Sequence, residues 1–352
     1  MASILSIGTT VPQHSIYQKE LAHKIAKASN LDINQTKWLE KLYQNSAIKK
    51  RHSVLADFGR DQSEWHFWND STATTLKRNE IYKQEAPKLA HSAAHKALQE
   101  WGQDPKLITH IIFISCTGIM APGVQALLQQ SLGLKADVVQ FGLNMMGCFG
   151  AFKGLDMAKA FASLDPKNRV LVVSCELCSL HFQQNQDPEL QVGNAIFSDG
   201  SAACVVGCEP TSREKNLWKI VQTKSLQLPH TLDKMTWEVS DTGFILGLKE
   251  EVVNCIHENI AQFRKALLHE NIDCHWAIHP GGKSILKACQ TALKLTKEET
   301  QSSWHVLEEY GNMSSATFLF VLDHLYRNSP KKEWAIGFGF GPGLTFEGIL
   351  LQ

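Results

Sequence analysis

The sequence has no excess charge of either sign. Its 35 Lys and Arg residues balance 35 Asp and Glu residues, so the formal net charge is zero. That removes the broad electrostatic footprint expected of a nucleic-acid or anionic-membrane binder, and any anionic ligand must be met by a local patch. No uninterrupted apolar run reaches membrane-spanning length, so no membrane span is expected. The first residues, Met1-Ala2-Ser3-Ile4-Leu5-Ser6-Ile7-Gly8, lack a basic leader and read as a first strand instead of a signal peptide. The nine cysteines are odd in number and scattered through apolar segments, which speaks against a disulfide framework and for a reducing cytoplasmic setting. A phosphate-cradling GxxxxGK[ST] loop is absent, as is a strand-borne GxGxxG. Cys175-Glu176-Leu177-Cys178 has CxxC spacing but no partner pair, so neither a metal nor a redox cofactor is expected.

What is present is an α/β pattern. With 352 residues, two domains or two fused halves are expected. Strands are predicted over 108–115, 169–175, 202–207, 275–278 and 334–338. Helices are predicted over 76–100 with a kink at Pro87, 125–132, 251–268, after Cys148 and after Asn312. The segment 57–75 is polar apart from Phe58, Trp65, Phe67 and Trp68 and is predicted to be a surface excursion. The segment 209–216 (EPTSREKN) is the best linker candidate, dividing the chain into 1–212 and 213–352.

The two parts echo each other. In each, a strand ends at a small-residue turn (Ser115-Cys116-Thr117-Gly118; His279-Pro280-Gly281-Gly282), a glycine then opens a helix (Gly147-Cys148; Gly311-Asn312), and a strand follows. Cys148 sits where Asn144-Met145-Met146-Gly147-Cys148-Phe149-Gly150 opens an apolar helix. Free N–H groups and the helix dipole at that end favour thiolate, the mark of a nucleophile. An imidazole such as His279 can hold a thiolate, and a histidine N–H with an asparagine amide N–H can bind a developing oxyanion. Taken singly, each residue has a plainer reading: a packed cysteine, a buried histidine and an Asn N-cap.

Four motifs together carry a resemblance. His279-Pro280-Gly281-Gly282, Tyr310-Gly311-Asn312-Met313-Ser314-Ser315-Ala316, Gly339-Phe340-Gly341-Pro342-Gly343-Leu344-Thr345 and Phe197-Ser198-Asp199-Gly200-Ser201-Ala202-Ala203 resemble, in order, segments of the type III polyketide synthases, the chalcone and stilbene synthase superfamily. The resemblance runs from Ile4 to Leu350. It implies a homodimer with a thiolase fold: two pseudo-repeated halves in a layered αβαβα architecture.

By that resemblance Cys148 is the acyl-accepting nucleophile, and His279 and Asn312 promote malonyl-thioester decarboxylation and stabilise the enolate. Phe197 matches a gatekeeper phenylalanine, and Ile245 falls at a second gatekeeper that is aromatic in plant members. Ser314 falls on a cavity-lining position, and Gly341, Pro342 and Gly343 on a loop of the cavity wall. Cys116, where plant members carry threonine, and the segment Glu176-to-Phe182 are similar to bacterial long-chain alkylpyrone and alkylresorcinol synthases. His181 departs from the small hydroxylated residue usual at its position. Of three basic coenzyme A contacts only Lys41 is kept, with Trp38 and Asn45 at the others, and Lys283 is a candidate for the missing charge.

The implied reaction uses acyl-CoA and malonyl-CoA as substrates and no cofactor. A fatty acyl starter on Cys148 is extended by repeated decarboxylative Claisen condensation and closed to a pyrone or resorcinol-type ring. An acyl carrier protein is a second candidate starter donor. The closest alternative is an initiating β-ketoacyl synthase performing a single condensation. A degradative thiolase is less favoured, since its second catalytic cysteine has no counterpart in the C-terminal glycine segment of this sequence, and a non-catalytic thiolase-fold binding protein is the remotest reading.

Overall fold

The computed structural model describes residues 1–29, 31–68, 73–183, 187–268, 272–330 and 332–352. The chain opens with strand β1 (Ala2–Thr10) and a small hairpin of β2 (His14–Tyr17) and β3 (Lys50–Ser53) that encloses helices α1 (Gln18–Ala28) and α2 (Ile33–Asn45). The long helix α3 (Thr75–Trp101) runs on through Pro87 and stops at Gly102, which is left-handed (φ 72°) as a C-cap requires. Then come β4 (His110–Ser115), α4 (Val124–Ser131), β5 (Val139–Asn144), α5 (Gly150–Leu164), β6 (Arg169–Leu177), α6 (Pro188–Ile196) and β7 (Asp199–Cys208). The second part has β8 (Trp218–Gln227), a hairpin of β9 (Met235–Ser240) and β10 (Gly243–Leu248), α7 (Glu251–Leu267), β11 (Cys274–Ile278), α8 (Lys283–Leu293), α9 (Gln301–Tyr310), α10 (Thr317–Asn328), β12 (Trp334–Gly341) and β13 (Thr345–Leu351).

The strand order β11-β12-β13-β8-β1-β7-β6-β4-β5 is a near-mirror about the β1–β8 seam. On one side β4 and β6 are parallel and β6, β7 and β1 are antiparallel. On the other side β11 and β12 are parallel and β12, β13 and β8 are antiparallel. The seam itself is short, pairing Ser3 with Lys219 and Ile4 with Trp218. The echo seen in the sequence is therefore a structural duplication.

Three cores explain the layering. α3 covers one outer face, packing Tyr82, Ala86, Ala90, Ala93 and Ala97 against β1, β6 and β7. α7 and α8 cover the other outer face through Ile256, Ile260, Phe263 and Leu286. Between the sheet faces lie α5 and α10, with Phe152, Leu155, Phe318 and Leu319 all buried. Each turns its broad apolar face to this middle layer and keeps its charged residues, such as Asp156 on α5 and Arg327 on α10, on the outer side. Phe152 and Phe318 meet across the pseudo-two-fold, ring centroids 3.9 Å apart. Both sequence motifs that open these helices are thereby aimed at the centre of the molecule.

One expectation is corrected and one connecting segment is tied down. The segment after Asp57 is not a surface excursion: Phe58, Trp65 and Trp68 are buried, and Trp68 stacks on Phe182 with centroids 4.4 Å apart. The Asp57 carboxylate accepts from the backbone N–H of Phe67 and Trp68, at 3.0 Å each, so the polar chain pays for its turn locally while the rings pack inward. Residues 69–72 lie outside the described ones. The predicted linker is also pinned. Glu214 receives both Nε and Nη2 of Arg169 (2.7 and 2.8 Å) and the indole N–H of Trp101 (2.8 Å), and its side chain is 2% exposed.

Candidate active site

Cys148 lies in a single tight turn, Gly147–Phe149, that leads into α5. Met145 and Gly147 are both left-handed (φ 58° and 69°), which is what bends β5 sharply into the helix. A side chain at Gly147 would place its Cβ 2.3 Å from Pro342 Cδ, and one at Gly341 would lie 2.6 Å from Phe149 Cδ1. Gly341-Pro342-Gly343 is thus packed directly onto the cysteine turn, and only glycine permits that approach.

Asn312 arrives from the other half. Its backbone is clamped, N–H to Ile196 O and O from Ser198 N–H, both 2.9 Å, which also ties it to Phe197. Its side-chain oxygen accepts from Ser314 N–H (2.9 Å) and its amide donates to Gly281 O (3.1 Å). These partners fix which end is which. Both amide atoms stand 3.9 Å from Cys148 Sγ. Its second amide hydrogen points at the sulfur, Nδ2 donating to Cys148 Sγ at 3.9 Å.

His279 ends β11, held by its N–H to Phe338 O (2.8 Å), and its ring edge lies beside Gly281. Buried at 1% exposure, neither ring nitrogen has a hydrogen-bond partner. Burial holds its pKa down to about 3, so the ring is neutral. A neutral imidazole carries one N–H donor and one acceptor, and here both are unclaimed.

The thiolate expectation is corrected. Burial pushes the Cys148 thiol up to about 11, against the opposing pull of hydrogen bonding to Ser314 and Asn312. Burial outweighs these hydrogen bonds, and His279, itself held neutral by burial, adds no charge. Cys148 rests as a thiol and must lose its proton during reaction.

The chamber in front of Cys148 holds about 30 Å³ and is lined by Cys116, Cys178, Phe197, Trp237, Ser314 and Pro342 among others. Cys116 Sγ accepts the Gly147 N–H (2.9 Å), bracing the nucleophile's turn. Ser314 stands at φ 46°, a strained setting for a non-glycine residue. His181 lines an adjoining chamber as a fixed wall: Phe244 N–H donates to its Nδ1 (3.0 Å), so its Nε2 carries the proton and donates to Thr117 O (2.8 Å). It stacks on Phe244 with centroids 4.3 Å apart.

Ile245 lines neither chamber. Strand alternation turns Phe244 and Leu246 inward, and Ile245 pairs with Glu238 on the other face of the β9–β10 hairpin. Gly341 and Gly343 shape the wall through their backbone, Gly343 at φ 72°. Lys41 is exposed on α2 and Lys283 opens α8; neither lines these chambers. Sequence reasoning missed Trp237, whose indole N–H donates to Cys116 O (2.8 Å), and the part played by Glu176. The buried Glu176 carboxylate accepts from Cys116 N–H (2.9 Å), Thr117 Oγ1 (2.8 Å) and Ser315 Oγ, and burial lifts it to about 7. The signal was a charged residue ending an otherwise apolar strand. Among the described residues no group of His, Cys, Asp or Glu is placed to hold a metal, and no helix is long and apolar enough to cross a membrane.

Known proteins share this architecture. Sequence models of the N-terminal and C-terminal domains of chalcone and stilbene synthases match residues 1–210 and 219–352. "Probable polyketide synthase 1" of Dictyostelium discoideum is 35% identical over 359 residues; the match takes in 99% of this chain, which spans 11% of that relative's length. The crystal structure of the C-terminal type III polyketide synthase domain of Steely1, a type I/III hybrid from Dictyostelium, superposes with a TM-score of 0.94 at 34% identity, covering 100% of this chain and 99% of that one.

Proposed function

Since this chain belongs to the chalcone and stilbene synthase family and has its thiolase fold, we propose that it acts as a type III polyketide synthase, with Cys148 as acyl tether and His279 and Asn312 as the decarboxylation pair. The observation that carries the reading is the Asn312 amide, oriented by Ser314 and Gly281, standing 3.9 Å from Cys148 Sγ where the two halves meet.

The cycle begins with an acyl-CoA. The acceptor nitrogen of His279 takes the Cys148 proton as sulfur attacks the thioester carbonyl. Coenzyme A thiolate leaves and regains that proton, and the acyl group remains on Cys148. Malonyl-CoA then loses carbon dioxide, and the electron pair of the broken carbon–carbon bond moves into the thioester as an enolate. The Asn312 amide hydrogen that faces Cys148 Sγ and the N–H of His279 receive the enolate oxygen. The enolate carbon attacks the Cys148 thioester, forming the new carbon–carbon bond and expelling the Cys148 thiolate. Repetition lengthens the chain, which closes to a pyrone or resorcinol-type ring. Decarboxylation supplies the driving force, so the chemistry calls for no metal or redox cofactor.

A fatty acyl starter is supported by walls that are mostly sulfur and hydrocarbon. The thin set of basic residues, Lys41 and Lys283, supports an acyl carrier protein as an alternative donor to coenzyme A. Among the described residues the edge strand β5 pairs only with β4, and it leaves Val139 and nearby Met145 exposed, which supports a homodimer closed along that edge. A cytoplasmic setting fits the nine free cysteines. The test is mass spectrometry of products formed from malonyl-CoA and a series of acyl-CoA starters. Cyclised products of two or more extensions are expected; single-condensation β-ketoacyl products alone would overturn iteration.

A further inference from the structure

At 3.9 Å from Cys148 Sγ the Asn312 amide has two ways to meet the sulfur. Its oxygen can accept the thiol S–H, or its Nδ2–H can donate to sulfur. Only the second puts a donor where an enolate oxygen forms in front of Cys148. The groups that decide between them lie on the far side of the amide.

An amide oxygen has two lone pairs. Ser314 N–H takes one of those on Asn312 Oδ1, at 2.9 Å. The other faces Thr317, the first residue of α10, whose Oγ1 stands 3.5 Å away. The Thr317 hydroxyl is itself aligned. Its oxygen accepts the Met313 N–H at 2.8 Å, which leaves its own proton to donate, and Asn312 Oδ1 is the acceptor that it reaches among the described residues. Asn312, Met313 and Thr317 are all buried, so bulk water does not stand in for these bonds.

This is not ordinary helix capping. A capping hydroxyl accepts from N–H groups ahead of it in the helix. The N-cap of α10 is Ala316, which offers no side-chain bond, and Thr317 reaches back to residues four and five before it. The left-handed turn at Ser314 (φ 46°) lies between them and folds the chain back on itself. With Ser314 N–H and Thr317 O–H both on the oxygen, and Gly281 O on the nitrogen at 3.1 Å, a rotated amide would lose its partners at both ends.

We propose that Thr317 is a positioning residue for decarboxylation: its hydroxyl occupies the second lone pair of the Asn312 amide oxygen, so that the amide N–H faces Cys148 Sγ and the developing enolate. Donation to an amide oxygen also polarises the N–H groups at its other end, which makes them better partners for an oxyanion. Thr317 acts through Asn312 and lines neither chamber. The inference rests on the decarboxylation reading given above.

The test follows decarboxylation as acetyl-CoA formed from malonyl-CoA, and acyl loading as mass added to intact protein by hexanoyl-CoA. Thr317→Val keeps the shape and loses the hydroxyl. It is expected to lower kcat of decarboxylation by about tenfold, short of the roughly 10²–10³ for removing an oxyanion donor itself, with KM for malonyl-CoA and the loading rate unchanged. Thr317→Ser keeps the hydroxyl and is expected to restore kcat. Thr317→Ala carries the test if the valine variant melts early. A folded valine or alanine variant with the wild-type kcat overturns the proposal. So does a serine variant that falls as far as valine, because the lost methyl would then be the cause. Loss of loading equal to the loss of decarboxylation overturns it too, being the mark of a disturbed fold. Wild-type protein that forms no acetyl-CoA from malonyl-CoA overturns the decarboxylation reading itself, and the part of Thr317 with it.

Discussion

Replacing Asn312 separates the two halves of the proposed cycle. Asn312→Ala removes the amide N–H that receives the enolate oxygen, and loss of one such donor costs about 2.7–4 kcal/mol of barrier, or roughly 10²–10³ in rate. Acyl loading of Cys148 should change far less, because the sulfur and His279 are untouched. Asn312→Asp has a different effect. It keeps the oxygen that accepts from Ser314 N–H, so the turn should hold, but it sets a carboxylate 3.9 Å from Cys148 Sγ. At an effective dielectric near 20, two unit charges at that distance repel by about 4 kcal/mol, some 10³-fold in thiolate population. The aspartate variant should therefore lose loading as well as decarboxylation. Decarboxylation is followed as acetyl-CoA formed from malonyl-CoA, and loading as the added acyl mass on intact protein. The reasoning is refuted if Asn312→Ala slows loading as much as decarboxylation, or if Asn312→Asp loads at the wild-type rate.

Alkylation of free Cys148 by iodoacetamide should be slow at neutral pH and climb through alkaline pH toward a plateau near 11, because burial disfavours the thiolate; a rate already saturated at pH 7 would contradict this. The same raised pKa predicts a stability term fully present below the ordinary thiol pKa of about 8.5 and lost as pH rises toward 11, since only the unfolded chain ionises in that window. His279→Gln keeps an N–H donor and removes the base, so loading should fall by roughly 10²–10⁴ while malonyl-CoA decarboxylation falls less; equal losses would remove the base role. Gly147→Ala forces a methyl to 2.3 Å from Pro342 Cδ at φ 69°. Left-handed backbone alone costs about 1–2 kcal/mol there. Melting should drop by several degrees and loading should fail, and a variant that loads normally would show that the turn tolerates displacement.

The sequence made the duplicated frame readable because buried strands and glycine-opened helices leave local marks. β4, β6, β11 and β12, and the start of α5, fall close to where periodicity and turn residues place them, whereas α10 opens at Thr317 and Asn312, expected at its start, lies in a bridge to Phe197. Cys148, Asn312 and Phe197 are brought together as the motifs imply, and Pro342 joins them across the pseudo-two-fold. What escaped was whatever depends on enclosure. A helix start is visible in residues 147–150, whereas the desolvation that overrides it is a property of the walls. Strand β10 is recognisable, but which of Phe244, Ile245 and Leu246 face the cavity depends on register with β9. Phe58, Trp65 and Trp68 sit in a polar stretch and find their core against residues distant in sequence, Trp68 against Phe182 more than a hundred residues on. Trp237 and Glu176 draw their importance from partners that no local pattern names: Cys116, Thr117 and Ser315.

Three thiols face the same small chamber, Cys116, Cys148 and Cys178, and only Cys148 among them keeps accessible surface. The most direct measurement is therefore peptide mapping by mass spectrometry after brief exposure of the protein to an acyl-CoA. The acyl mass should appear on the Cys148 peptide alone, and Cys148→Ala should carry none and release no extended product while Cys116 and Cys178 remain intact. Acyl mass on either of those two cysteines, or an extended polyketide made by Cys148→Ala, would contradict the assignment of Cys148 as the tether.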